Sequence, residues 1–207
     1  MTGEIRSMYT LYDSAISGNA YKVRLLLTKL GLPFRRIEMD VDDGSTRQSA
    51  FLAKNPNGKV PVLELPDGIC LAESDAILVY LAEGTPFWPG DRLARAQVLQ
   101  WLFFEQYSHE PTIAVVRHWV AHLGKTTESE PALPQKLAGG YRALGVMEGH
   151  LAGRLFFVDD CFSVADIALY AYTHVAHEGG FDLTAYPAIR AWLGRVAAQP
   201  DHLLITA

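Results

Sequence analysis

Two short runs between Asn55 and Leu81 hold residue types that can do chemistry. One is Val60-Pro61. A proline at the head of a strand can carry a cis peptide bond, which would present the Val60 backbone to a ligand. The other is Glu73-Ser74, where a helical pattern begins. Free N–H groups, the positive end of the helix dipole and a hydroxyl favour an anion there, such as a carboxylate. Plainer roles exist for both: the proline starts a strand and the serine caps a helix. Two histidine pairs, His118 with His122 and His174 with His177, have metal-ligand spacing. No carboxylate or cysteine completes either set, so no metal is expected.

The elements that must position these residues are readable from periodicity. Met8 to Tyr12 alternates like a strand, and Asp13 to Asn19 (DSAISGN) is a polar loop. Val23, Leu26, Leu27 and Leu30 mark a helical face that Gly31 ends. Phe34 to Met39 reads as a second strand, parallel to the first through a right-handed crossover. A short helix near Gln48 to Lys54 follows. Val60 to Leu65, the turn Pro66-Asp67-Gly68, and Ile69 to Leu71 form a hairpin. Ala76, Ile77, Tyr80 and Leu81 then recur at helical spacing. The order β-α-β-α-β-β-α predicts a thioredoxin-like α/β domain over 1–83, a four-stranded mixed sheet with helices on both faces.

Residues 84–91 carry Gly84, Pro86, Pro89 and Gly90 and read as a linker. Residues 92–207 read as an all-α helical-bundle domain. A long helix runs from Arg92 to about Leu123, kinked at Pro111. A second covers Gln135 to Leu151. Ser163-Val164-Ala165-Asp166 has capping-box spacing, with Phe162 and Ile167 placed as a hydrophobic staple. That helix is expected to end at Gly179-Gly180, and a last one follows Tyr186-Pro187.

Composition excludes several classes. The 207 residues carry a net charge of −5, with no Lys or Arg block to offer a phosphate footprint, which argues against nucleic acid. Hydrophobic residues make up 49 %, enough for a sizeable core. No apolar run reaches the ~18 residues of a membrane span. Met1 to Met8 is polar, so no signal peptide is expected, and a reducing cytoplasm is the default location. Cys70 and Cys161 sit among apolar residues and are expected as packed core thiols.

Three segments, in order, resemble the cytosolic glutathione transferases of bacterial, serine-like type. NPNGKVPVLE is similar to that family's NPxGxVPxL segment around a cis-proline. LAESDAILVYL resembles its ES-containing glutathione-binding helix start. FSVADIAL resembles the capping box of its core helix in the second domain. The resemblance spans about residues 8 to 200. It implies a homodimeric glutathione transferase with glutathione as co-substrate and a small apolar electrophile as second substrate. Glutathione-dependent peroxidase or disulfide-bond reductase activity on the same site, or a non-catalytic interaction module, are the alternatives.

The resemblance also implies roles. The enzyme must stabilise a thiolate whose unperturbed pKa is about 8.5. The sulfur is expected at the loop before the first helix, on Ser17, with Asn19 and then Ser14 as further donors and Tyr12 as a weaker one. Lys59 is expected at the glycyl carboxylate, and the Val60 backbone beside Pro61 at the cysteinyl part. Glu73 and Ser74 take the γ-glutamyl end. The electrophile is expected between the domains, against Phe104, Tyr107 and His109. That loop also resembles the SSCSxRVR segment of the maleylacetoacetate isomerase branch, but Asn19 stands at its cysteine position, against that isomerase function. No cysteine lies in the loop, so disulfide exchange through a protein thiol there is not expected.

Overall fold

The computed structural model describes residues 8–207. The polar lead at residues 1–7, and with it most of the stretch read for a signal peptide, lies outside them. Contacts divide the described chain into two compact units. One reaches Glu83 and also takes in Asp201–Ala207; the other is Gly84–Pro200.

The first unit follows the expected order: β1 (Tyr9–Asp13), α1 (Gly18–Lys29), β2 (Phe34–Glu38), α2 (Ser49–Leu52), β3 (Val62–Glu64), β4 (Cys70–Ala72) and α3 (Ser74–Ala82). The sheet order is β2-β1-β3-β4. The α1 crossover makes β1 and β2 parallel. A tight turn makes β3 and β4 antiparallel. In that turn the Gly68 N–H donates to the Leu65 carbonyl at 2.9 Å, and Gly68 takes φ 87°, which a side chain would strain. β3 also runs antiparallel to β1, pairing Leu11 with Leu63, both fully buried. Tyr12, next in β1, turns to the opposite face and meets Phe51 of α2 edge-on at 5.9 Å.

α1 is buried on more than its apolar face. Lys22 and Arg24 are as buried as Leu26 and Leu27. Asp75 covers Lys22, and Arg24 is covered by the last seven residues, which the sequence assigns to the helical domain but which return to α1. Tyr21 donates its hydroxyl to the Leu203 carbonyl at 2.6 Å, and Arg24 donates to the Ile205 and Ala207 carbonyls at 2.9 and 2.5 Å. Arg24 and Arg36 also pair with the buried Asp13 at 2.9 and 2.6 Å. Backbone carbonyls of this segment cover Arg24, which periodicity alone leaves exposed.

The second unit contains α4 (Arg92–Phe104), α5 (Glu110–Arg117), α6 (Leu133–Leu151), α7 (Val164–Thr173) and α8 (Pro187–Ala197). Residues 84–91 pack within it: Trp88 is buried and the Phe87 carbonyl accepts from the Val164 N–H at 3.1 Å. α4 passes into α5 through a π-helical turn at Glu105–His109, and another π turn covers His118–His122. The first of these is how the long helix absorbs Pro111, which cannot donate to the preceding turn. α7 ends at Thr173, earlier than the glycine pair, because a 3₁₀ turn over Ala176–Gly179 intervenes before Gly180 at φ 86°.

The capping box at α7 is complete. Ser163 Oγ accepts from the Ala165 N–H at 3.3 Å, and Asp166 Oδ2 accepts from the Ser163 N–H at 2.9 Å. Asp166 Oδ1 also accepts from Trp192 Nε1 at 2.9 Å and from the Phe157 N–H at 3.2 Å. Phe162 packs its ring on Phe87 and Phe156. The cysteines are not core thiols: Cys70 is half-buried on the edge strand β4 and Cys161 is exposed beside a turn. Among the described residues no helix is long and apolar enough to cross a membrane.

Candidate functional site

The loop 13–17 and the start of α1 are set from both sides. Ser17 is the N-cap: its Oγ accepts from the Ala20 N–H at 3.2 Å. The Ser17 N–H donates to the Ser14 carbonyl at 2.9 Å, and the Ala15 N–H donates to Glu38 Oε1 at 2.7 Å. Ser14 is buried, whereas Ser17 and Asn19 are half-buried. Tyr12 gives its phenolic proton to Glu64 Oε2 at 2.9 Å, and Lys54 holds the same oxygen at 2.7 Å. That proton is the only one Tyr12 has, which leaves none for a sulfur. Lys54 is held above the usual lysine range by its hydrogen bonds to Glu64 and Tyr12.

The Val60–Pro61 bond is cis. The loop before it is built by Asn55, which is buried. Its Nδ2 donates to the Lys59 carbonyl at 2.8 Å and its Oδ1 accepts from the Asn57 N–H at 3.0 Å. Gly58 sits at φ 63°, and a Cβ there would come within 2.6 Å of Arg47 and 3.0 Å of the Thr46 carbonyl. These requirements account for Asn55 and Gly58 of the NPNG run. The Lys59 side chain is exposed.

Glu73 and Ser74 divide their roles differently from a simple cap. Glu73 is the N-cap of α3 but makes no side-chain capping bond, and its φ of 66° is unusual for a residue with a side chain. Ser74 is the first helical residue, buried, and its hydroxyl donates to Asn19 Oδ1 at 3.2 Å. The starts of α1 and α3 thus meet through two of the residues singled out in the sequence.

A third residue joins them that periodicity does not single out. Lys22, fully buried on α1, reaches Ser74 Oγ at 3.4 Å and Asp75 Oδ1 at 3.1 Å. Its signal is a lysine inside an otherwise buried helix face. A buried ammonium needs a paired carboxylate, and Asp75 supplies it.

The electrophile-wall candidates separate. Phe104 and Tyr107 line a cleft of about 310 Å³ within the helical unit, together with Ser108, Thr112, Arg142 and Val146. His109 does not: it is fully buried, its Nε2 lies 2.8 Å from Thr173 Oγ1, and Nδ1 lies 4.0 Å from the buried Glu105. Thr173 Oγ1 already donates to the Leu169 carbonyl at 2.6 Å, so it accepts from His109. Position within the π turn points His109 inward. The two histidine pairs form no metal cluster: among the described residues no group of three or more His, Cys, Asp or Glu could hold an ion. His174 instead stacks on Tyr170 and bonds the Tyr170 carbonyl at 2.7 Å.

Comparison with known proteins places the chain in a family. The glutathione S-transferase N-terminal domain profile matches residues 7–83, and the C-terminal domain profile matches residues 98–200. A glutathione S-transferase from Pseudomonas fluorescens is 52 % identical in sequence, with a TM-score of 0.95 over 97 % of this chain and 100 % of its own. The structure of Ure2p in complex with glutathione superposes with a TM-score of 0.83 at 26 % identity, covering 94 % of this chain and 91 % of that one. Among curated proteins, the disulfide-bond oxidoreductase YfcG of Escherichia coli is 30 % identical over 88 % of this chain and 87 % of its own length. With both domain profiles matched in order across most of its length, the chain belongs to the glutathione S-transferase family.

Proposed function

We propose that the protein binds glutathione, stabilises its thiolate and transfers it to a small apolar electrophile. The observation that carries this reading is the Asn19–Ser74 contact. It brings the start of α1, where the sulfur is expected, against the start of α3, where the γ-glutamyl carboxylate is expected. Ser74 offers its hydroxyl and the uncapped N–H groups of α3 to that carboxylate. Glu73 faces the ammonium, the Val60 backbone pairs with the cysteinyl residue, and Lys59 reaches the glycyl carboxylate. Ser17 and Asn19 are the sulfur donors. Capping and donation are compatible at Ser17, because its oxygen accepts from Ala20 while its proton remains available. The thiolate then attacks the electrophile, a carbon–sulfur bond forms and the leaving group departs.

Disulfide reduction with glutathione is the second reading, supported by the similarity to YfcG. Both readings need the same thiolate. A homodimer is part of the proposal, supported by the apolar stripe of Leu99, Phe103 and Tyr107, four residues apart and exposed on the long helix.

Retention on immobilised glutathione, followed by glutathione-dependent turnover of an aryl halide and of a small disulfide, tests the proposal. Retention with turnover of either compound is expected. Ser17→Ala and Asn19→Ala are each expected to lower turnover, roughly ten- to a hundredfold for the principal sulfur donor. Absence of both retention and turnover in the parent protein sinks the enzyme reading.

A further inference from the structure

Arg36 draws together both anchors of the loop that carries Ser17. Leu11 and Asp13 of β1 lie opposite Arg36 and Glu38 of β2 in the parallel register, and alternate residues along a strand share a face. Arg36 Nε pairs with the buried Asp13 carboxylate at 2.6 Å, and its Nη2 pairs with Glu38 Oε2 at 2.8 Å. Asp13 directly precedes Ser14, and its carbonyl accepts from the Met39 N–H at 2.7 Å. The other oxygen of Glu38, Oε1, accepts from the Ala15 N–H at 2.7 Å. Residues 14–17 alone separate β1 from α1, and the Ser17 N–H closes them onto the Ser14 carbonyl. So short a loop has little slack. Its path to Ser17 is set where Asp13 and Ala15 are held.

A third segment fixes Arg36 itself. Its Nη1 donates to the Ala207 carbonyl at 3.1 Å, and that carbonyl also accepts from Arg24 at 2.5 Å. Arg24 Nε in turn lies 2.9 Å from the same Asp13 oxygen that Arg36 holds. Two guanidinium groups at one carboxylate oxygen repel each other, and a carbonyl dipole accepting from both offsets part of that repulsion. Arg36 serves Asp13, Glu38 and Ala207 at once because a guanidinium carries five N–H donors in a fixed fork.

We propose that Arg36 is a positioning residue for the sulfur donor. With residues 205–207 closed over it, it holds the Asp13 and Ala15 ends of the loop so that the Ser17 hydroxyl meets the glutathione sulfur. The inference rests on the proposed function, which puts the sulfur at Ser17. It goes beyond that reading by giving turnover a dependence on β2 and on the end of the chain, neither of which supplies a ligand contact.

The test measures three quantities: glutathione affinity, turnover of the aryl halide or disulfide that the parent accepts, and the pKa of the bound thiol from its ultraviolet absorbance. The variants are Arg36→Gln, Arg36→Lys, a chain ending at Leu204, and Arg36→Gln combined with Ser17→Ala. Arg24 keeps Asp13 paired in Arg36→Gln, and Arg36 is part-exposed, so the fold is expected to survive. Arg36→Gln is expected to lower turnover about tenfold and to raise the bound thiol pKa by about one unit. Its Kd is expected to stay within about twofold. The chain ending at Leu204 is expected to shift the same way by less. Arg36→Lys, which keeps the charge without the fork, is expected to fall short of the parent. In the Ser17→Ala background the effect of Arg36→Gln on the thiol is expected to disappear. Unchanged turnover and thiol pKa in folded Arg36→Gln overturn the inference and leave the proposed function standing. So does a loss of affinity as large as the loss of turnover, which marks general disturbance. An Arg36→Lys variant equal to the parent, or a thiol shift that persists without Ser17, marks the effect of a charge alone and overturns it as well. No binding of glutathione by the parent, or no effect of Ser17→Ala by itself, overturns the reading on which the inference rests and the inference with it.

Discussion

Replacing Asp166 by alanine is expected to destabilise the helical unit by about 3 to 5 kcal/mol, the range for breaking a buried, hydrogen-bonded charged group. The carboxylate is fully buried and accepts from the Ser163 and Phe157 N–H groups, from Trp192 Nε1 and from Ser163 Oγ. Alanine leaves donors on three separate segments without acceptors, at a cost of about 1 to 3 kcal/mol each where they stay buried. The loss is read as a drop in the chemical-denaturation midpoint. Asparagine, which keeps one acceptor oxygen, is expected to cost less. An alanine variant as stable as the parent would show that the capping box does not hold α7.

Asp166 also gives the stability a pH dependence. Burial pushes its pKa up to about 6, against the pull of the Trp192, Ser163 and Phe157 donors. The unfolded value is near 3.8. Between these two the folded state binds more protons than the unfolded state, so this group's contribution is fully present below about 4 and is lost as pH rises through about 6. The size is on the order of 3 kcal/mol for a shift of that extent. Asp166→Asn removes the dependence, so the stability gap between parent and variant is expected to change across this window and be constant above it.

Replacing Ser74 by alanine is expected to weaken glutathione binding by about 1.5 to 3 kcal/mol, roughly ten- to a hundredfold in Kd, the range for a hydrogen bond to a charged group. The fold is expected to survive. Lys22 keeps its pairing with Asp75 at 3.1 Å, and the core residues of α3, Ile77, Leu78 and Leu81, are untouched. Calorimetric titration of glutathione into both proteins measures the difference. An unchanged Kd, with the variant folded, would remove Ser74 from the binding site.

Much of this architecture is legible in the residues because local rules and tertiary demands agree. Pro66-Asp67-Gly68 has one comfortable geometry between two apolar runs, and the hairpin forms there. Ser163 and Asp166 stand at capping-box spacing before an apolar run, and both capping bonds form. Agreement fails where a distant segment decides. Lys22 and Arg24 look solvent-facing in the helical pattern. Asp75 buries the one, while Asp13 and the carbonyls of residues 205–207 bury the other. His109 looks like a wall residue by its aromatic neighbours, but the π turn that accommodates Pro111 sets its direction inward. Cys161 sits in an apolar stretch but falls in a turn. At the site, the two helix starts are readable one by one. Their contact through Asn19 and Ser74 is not, because the residues are 55 positions apart and no periodicity links them.

The central claim is that the chain holds glutathione as a thiolate. It is tested most directly by titrating the thiol of glutathione bound at saturation to the unmodified protein, following thiolate absorbance against pH. The account predicts a midpoint about one to two units below the free thiol value of about 8.5. A midpoint at or above that of free glutathione would contradict it.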